Sequence, residues 1–239
     1  MPEAEKFFGF GGAIAGQAYY ERLMKEAGMD VPAPKGAKAL VQGCGEGHEA
    51  LYLARRGWTV DAQDIQADKH WPGLAKQGRG RLRFKAADAQ KAPGAPARYD
   101  LVMEKDMAHH ASDPVAVFKS LARSAKPGGR VLIIEGNRLN PIFYVHLTLL
   151  GDHDHFSPWR LRRLLNAAGL QSAEVLKVEA RVWPFNRDWA QRLFGALQDL
   201  AQAFPLWHPF VCYHICRWQK PAAGKAPGRH APHAMRGIR

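Results

Sequence analysis

The sequence is short of cysteine, of long apolar runs and of acid. Among 239 residues there are three cysteines, Cys44, Cys212 and Cys216. An odd, sparse set builds no disulfide framework and reads as the thiol content of a reducing compartment. The nearest thing to a long apolar run is Pro141–Leu150, which His146 and Thr148 interrupt. It falls far below the roughly 18 apolar residues of a membrane span. Phe7–Ala15 is apolar and ends in the cleavage-like triplet Ala13-Ile14-Ala15, but Glu3 and Glu5 stand against Lys6 before it. That leader has the wrong sign for a secretory signal, so the chain reads as cytoplasmic. Acids are the third shortage: 22 Asp and Glu face 34 Lys and Arg, a formal net charge of +12. Five of the cations (Lys220, Lys225, Arg229, Arg236 and Arg239) lie from Lys220 onward with no acid among them, which leaves +7 on the body. A basic body attracts anionic substrates, membranes or nucleic acid without naming one of them.

What is present is ordinary globular material. Apolar residues make up 46% and charged residues 23%, which excludes disorder throughout. The length suits one α/β domain with an accessory segment. Ala37–Gln42 is a short apolar run ending in Gly43-Cys44-Gly45-Glu46-Gly47. A helical pattern follows, with Ala50, Leu51, Leu53 and Ala54 apolar and Arg55-Arg56 before Gly57. Cations suit the negative end of a helix, and glycine suits its stop. Trp58–Ile65, Arg81–Ala87 and Tyr99–Met103 read as the next strands. The stretch between the first two of these is poorly helical, because Pro72-Gly73 interrupts it. Pro114–Ala125 has helical spacing, and Arg130–Glu135 is a nearly continuous apolar strand of the kind buried on both faces. Strands alternating with helices imply parallel βαβ units with right-handed crossovers. Beyond Gly136 the texture changes to Pro, His and aromatics from Asn137 to Pro158. Then come a helix (Pro158–Ala168), a strand (Gln171–Val178), a helix (Asn186–Ala203) and a last strand (Phe210–Trp218). Pro221–Arg239 is Pro/Ala/Gly-rich and reads as a disordered basic tail.

Three glycines in five residues between a buried strand and a helix let the backbone turn sharply and admit a ligand close to the main chain. Asp64 lies 21 residues after Gly43, at the end of the second strand, where a carboxylate can accept both hydroxyls of a ribose. The spacing is Gly-x-Gly-x-Gly with His48 next, not Gly-x-Gly-x-x-Gly, and no Gly-Lys-Ser/Thr occurs. A nucleoside ligand without a pyrophosphate fits this loop better than a dinucleotide or a nucleoside triphosphate. Three more features follow in order: Asp88 after the third strand, Arg98-Tyr99-Asp100-Leu101-Val102 into the fourth, and Lys126-Pro127-Gly128-Gly129-Arg130 before the fifth.

With these residues in place, the stretch from about Lys35 to Trp218 resembles the class I S-adenosylmethionine-dependent methyltransferases. The matching segments are ALVQGCGEGHEALYLARRGWTVDAQDI, AADAQ, RYDLVMEKDMAHHASDP and AKPGGRVLIIEGNRLNP. The resemblance implies a Rossmann-like, doubly wound, seven-stranded α/β sheet whose last strand runs antiparallel, an N-terminal helical lid over residues 1–34, and a substrate-lid insertion over 137–160. It implies S-adenosyl-L-methionine as cofactor, with Gly43, Gly45 and Gly47 approaching its methionine part and Asp64 holding its ribose. Asp88 would accept from the adenine amine, Ile65 and Ala89 would flank the ring, and Glu104 would lie near the methionine amine. Two departures stand out: Val41 occupies a position where many members carry an acid, and Pro72-Gly73 shortens the usual second helix.

Such a cofactor carries its own reactive centre, which leaves the protein to align a nucleophile and remove its proton. Histidine is the natural base near neutral pH. His109 and His110 sit just past the fourth strand, at the edge where such folds bind ligands. The run Ala108-His109-His110-Ala111-Ser112-Asp113 is similar to a small-molecule O-methyltransferase loop in which a His preceding x-x-Ser-Asp is the base, which favours His109. Alternatively, both histidines cap or pack the helix start at Asp113-Pro114. Gly151-Asp152-His153-Asp154-His155-Phe156 could ligate a metal, but neighbours in sequence rarely converge on one ion without a distant third ligand, so no metal is expected. The segment is similar to the substrate lid of quinone-precursor O-methyltransferases, which would turn His153 or His155 toward the acceptor, with Asn137, Phe143, Tyr144 and His146 as candidate pocket walls. Cys212, His214 and Cys216 share one face of a strand and read as core.

The leading function is methylation of a small molecule, on oxygen. A nucleic-acid methyltransferase is the alternative that the charge supports. Against it, the fourth strand ends in Met103-Glu104-Lys105-Asp106 and lacks the Asn/Asp-Pro-Pro-aromatic signature of base amino-group methylation, and no Pro-Cys nucleophile occurs. A non-catalytic cofactor-binding partner subunit is the third reading, which Val41 keeps open.

Overall fold

The computed structural model describes residues 23–90, 96–141, 144, 154–178 and 188–222. Strands β1 (Lys38–Gln42), β2 (Thr59–Asp64), β3 (Leu82–Ala86), β4 (Tyr99–Lys105), β5 (Ala125–Gly136), β6 (Glu174–Val178) and β7 (Tyr213–Gln219) form one sheet in the order β3-β2-β1-β4-β5-β7-β6. The first five run parallel, and β7 enters antiparallel between β5 and β6. This is the expected α/β architecture, including the reversed last strand. The chain direction changes on either side of β1, so the carboxyl ends of β1 and β4 open a crevice at a topological switch point.

Helices cover both faces, as the uninterrupted apolar strands require. On one face α1 (His48–Arg55) and α2 (Trp71–Gln77) pack Leu51, Leu53, Trp71 and Leu74 with Trp58 and Val60, joined by Leu23 and Met24 from the described start of the N-terminal segment. On the other, α3 (Pro114–Ser124) and α4 (Pro158–Ala167) bury Val117, Phe118, Leu121, Leu161 and Leu165 against Leu40, Val102, Val131 and Ile133. The starts of α3 and α4 are marked in the sequence: Asp113 and Ser157 accept from the N–H groups of Ala116 and Arg160, and a proline follows each cap. The remaining long helix is α5 (Asp188–Ala203). No helix among the described residues is long and apolar enough to cross a membrane.

Three local expectations change. Pro72 does not interrupt a helix but sits in the first turn of α2, where its missing N–H would have had no intrahelical partner. Phe210 belongs to a 3-10 segment, Pro205–Phe210, ahead of β7, because Pro205 and Pro209 have no N–H to give a ladder. Lys220, counted with the tail, still belongs to the sheet end: its N–H donates to Gly129 O and its carbonyl accepts from Gly128 N, both at 2.9 Å. Its ammonium donates to the carbonyls of Ala122 and Ala125 where α3 runs into β5. The N-terminal lid before Leu23, most of the insertion with Phe143, His146 and His153, and the tail beyond residue 222 lie outside the described residues.

Candidate active site

The loop after β1 takes three left-handed turns in five residues, with φ of +65° at Gly43, +48° at Gly45 and +97° at Gly47. The three glycines answer different demands. A Cβ on Gly43 would fall 2.1 Å from Met107 Cγ, and one on Gly47 2.6 Å from the Phe84 ring, so both are required by the protein's own packing. At Gly45 a Cβ would meet nothing within 4 Å: only the backbone conformation demands glycine there, and the position faces open space. Asp64 braces this loop, its Oδ2 accepting the Gly45 N–H at 2.8 Å, while Trp71 Nε1 donates to Gly45 O at 2.8 Å.

Gly43, Asp64, Ile65, Asp88, Ala89 and His110 line one cavity, with Met107 and Val117 completing its wall. Residues from four segments predicted to share a ligand thus share a space. Ile65 is 67% exposed at the rim, an apolar side chain with nothing of the protein over it. Asp88 is held in a turn by the N–H of Gln90 on its Oδ1. These residues fit the cofactor that the resemblance implies: a carboxylate at the β2 end for ribose hydroxyls, an apolar rim for a ring, and small residues where a ligand passes the backbone. Val41, the departure from the acid, is buried in the core.

Glu104 is elsewhere. It is fully buried beneath the crevice, and its Oε2 accepts the N–H groups of Met107 and Ala108 at 3.2 and 3.3 Å. Glu135, which the sequence analysis did not single out, completes this arrangement. Its Oε1 also accepts the Ala108 N–H, at 2.8 Å, and its Oε2 lies 2.8 Å from His109 Nδ1. Burial pushes both carboxyls well above the usual carboxylate range, Glu104 further raised by the charge of Glu135 and Glu135 by that of Asp106. An acid closing a doubly buried apolar strand was the available signal for Glu135, since such residues are rarely inside without a partner.

The two adjacent histidines part company. His110 lines the cavity, whereas the His109 side chain is only 1% exposed, with its ring centroid 4.1 Å from that of His110 and 4.2 Å from that of His155. Burial holds the His109 pKa below its ordinary value, against the opposing pull of Asp106. His155 is itself buried, and it reaches this point because the chain around it is tied to the end of β5. Asn137 and Phe156 bridge, and Asp154 pairs with Arg138 and Arg160. Gly136 leaves room for it, since a Cβ there would lie 2.8 Å from His155 Nδ1. Asn137, a candidate pocket wall, instead uses its amide to bind the carbonyls of Pro209 and Val211. Tyr144 is 40% exposed.

One ligand atom from each of Asp106, His109, Glu135 and His155 lies within 4.8 Å of the others, a donor set able to hold a divalent cation. The distant ligands that the Asp/His run lacked in sequence are thereby present in space. Asp106 stands at φ +50°, and its carboxylate takes hydrogen bonds from Lys105 Nζ, Tyr213 Oη and the Gly136 N–H. Lys105 keeps its pKa below the usual carboxylate range despite burial.

Comparison with known proteins agrees with this geometry. A family profile described as a methyltransferase domain matches residues 40–133. The ubiquinone biosynthesis O-methyltransferase of Aeromonas salmonicida is 34% identical over 154 residues, spanning 56% of this chain and 63% of the relative. That of Nitrosospira multiformis is 31% identical, spanning 66% and 69%. The chain therefore spans about two thirds of the length of the curated relatives it matches. Among solved structures, a Haemonchus contortus phosphoethanolamine N-methyltransferase 2 bound to phosphomonomethylethanolamine and S-adenosylhomocysteine has a TM-score of 0.62 at 19% identity, covering 86% of this chain and 53% of that one. A Burkholderia thailandensis 1,6-didemethyltoxoflavin-N1-methyltransferase with S-adenosylhomocysteine has a TM-score of 0.54 at 19% identity, covering 86% and 77%. The structural likenesses establish the fold, and with the sequence relatives they leave one conclusion: the chain belongs to the class I S-adenosylmethionine-dependent methyltransferases.

Proposed function

We propose that this protein transfers the methyl group of S-adenosyl-L-methionine to an oxygen of a small-molecule acceptor. The observation that carries the reading is the convergence of Gly43, Asp64, Ile65, Asp88, Ala89 and His110 on one cavity. The oxygen acceptor is supported by relatives named O-methyltransferases at 34% and 31% identity and by the histidine pair beside the cavity. When bound, the cofactor supplies an electrophilic sulfonium methyl.

The chain's own residues then have separate tasks. Asp64 holds the ribose, and Ile65 and Ala89 cover the adenine, with Asp88 accepting from its amine. Exclusion of water falls to Met107 and Val117 on the cavity wall. The proton of the acceptor hydroxyl goes to the histidine pair. His110 stands at the cavity and takes that role directly, in place of the His109 that sequence alone favours. His109, kept neutral by burial and tied by Nδ1 to Glu135, is the positioning residue behind it. Base catalysis by a placed histidine contributes about 10²–10⁴-fold in rate.

Calorimetry with S-adenosylhomocysteine on the full chain and on Asp64→Ala tests the cofactor part. The expected result is binding that the variant weakens by tenfold or more, and no heat or thermal shift with either form of the cofactor sinks the reading. Labelled methyl transfer to small phenols and carboxylic acids tests the acceptor part. His110→Ala should lower kcat with cofactor affinity kept. His109→Ala should shift the pH profile of kcat, a response that a purely structural histidine would not give.

A further inference from the structure

We propose that the groove between α4 and the edge strand β6 is a second ligand site, and that it takes a phosphate monoester carried on a flat apolar body. The groove has a volume of about 450 Å³. Its two cationic walls come from Arg162 and Arg163 on α4 and Lys177 on β6, with Asn166 beside them. Among the described residues no carboxylate lines it. The nearest acid on β6, Glu174, is already engaged by Arg217 at 2.8 Å. Arg162 is tethered at the groove by donating to Ala173 O at 3.0 Å. Three cations around one space, with no anion of the described residues among them, match a dianion better than a single carboxylate.

The second, independent observation is His214. It lines the groove from β7, directly across from Lys177 in register, and is fully buried. Neither of its ring nitrogens has a hydrogen-bond partner among the described residues. A buried imidazole left so is costly, and a ligand oxygen in the groove would satisfy it. Burial and the Lys177 charge push its pKa down to about 4, so at neutral pH the ring is uncharged and offers one N–H donor. The rim supplies the apolar half of the ligand's surroundings. Trp159 is 71% exposed there, and Leu161 and Val175 lie below it. An exposed indole beside cations is the usual dress of a site for a molecule with a flat apolar part and a charged end.

The groove is not an extension of the cofactor crevice. That crevice is built on the ends of β1, β2 and β4, whereas the groove rests on β7 and β6 at the far edge of the sheet. The nearest strands of the two, β4 and β7, have β5 between them, so at about 4.8 Å per spacing the two sites are roughly 10 Å or more apart.

Phenyl phosphate is the probe, titrated into the full chain at low salt, with phenol, benzoate and inorganic phosphate as comparisons and ¹⁵N spectra of the histidine rings as a second readout. The expected result is that phenyl phosphate binds more tightly than phenol or benzoate and moves the His214 ring resonances. The exposed double variant Arg163→Ala/Lys177→Ala should then bind it at least about tenfold more weakly. Its melting temperature and its affinity for S-adenosylhomocysteine should be unchanged. Equal binding by the double variant overturns the proposal. So does an unmoved His214 ring, competition with S-adenosylhomocysteine, or binding of phosphatidic acid vesicles without binding of phenyl phosphate.

Discussion

Replacing Gly43 and Gly45 in turn by alanine separates what the fold needs from what a ligand needs. Both glycines stand at positive φ, +65° and +48°, so each alanine carries the same backbone cost of about 1–2 kcal/mol. They differ in what the new methyl meets. At Gly43 it would lie 2.1 Å from Met107 Cγ and 2.4 Å from Met107 Cβ. A Cβ cannot swing aside as a side-chain tip can, so the loop after β4 must move, and overpacking of this kind adds about 1–3 kcal/mol. Gly43→Ala should therefore cost about 3 kcal/mol, a fall in Tm of about 6–12 °C in a chain of this size. At Gly45 nothing lies within 4 Å, so Gly45→Ala should cost only the backbone share, with a fall of about 2–8 °C. The methyl at Gly45 instead enters open space beside Asp64, where the proposed cofactor passes, and its penalty should appear in S-adenosylhomocysteine affinity. Scanning calorimetry and isothermal titration on both variants make the comparison. If Gly43→Ala melts no earlier than Gly45→Ala, the argument from Met107 is refuted.

Other expectations rest on separate features. Glu104 has a folded pKa raised above its unfolded value, so the buried carboxyl loses stability as pH climbs from about 4.5 toward the folded value. Glu104→Gln should flatten that decline and raise Tm at pH 8 more than at pH 5, as a melting series across pH will show. His214 titrates the other way: its folded pKa of about 4 lies below the ordinary 6.5, so its share of stability is full above pH 6.5 and lost as pH falls toward 4. His214→Phe should remove that acid limb from the same series, and an unchanged limb assigns it to other groups. Asp113→Ala deletes the cap on the Ala116 N–H and should cost about 1 kcal/mol in denaturant unfolding, with an unchanged m-value.

Much of the frame is legible without coordinates because its causes are local. The apolar runs at Ala39–Val41 and Val131–Ile134 announce strands buried on both faces. Asp113-Pro114 and Ser157-Pro158 announce helix starts. Reading Pro72 as an interruption failed because the same residue that breaks a helix interior is tolerated in its first turn, and composition alone does not say which turn it occupies. Phe210 has the apolar character of a strand residue, but Pro205 and Pro209 place it in a 3-10 segment that ends before β7 begins.

The convergence of Gly43, Asp64 and Asp88 on one cavity was determined by the sequence itself. Gly43, Asp64 and Asp88 each follow a strand, and parallel strands in one sheet bring their carboxyl ends to one edge, so order along the chain dictates nearness in space. The chemistry beneath that edge was decided only by tertiary structure. Asp106, His109, Glu135 and His155 come from a strand end, a 3-10 turn, a second strand and the return of an insertion, and no spacing rule relates them. Their meeting depends on contacts between separate stretches of chain, Asn137 with Phe156 and Arg138 with Asp154, under the room that Gly136 leaves. Those contacts are not announced in the sequence, because hydrogen bonds and ion pairs of this kind act over a few ångströms and have no sequence period.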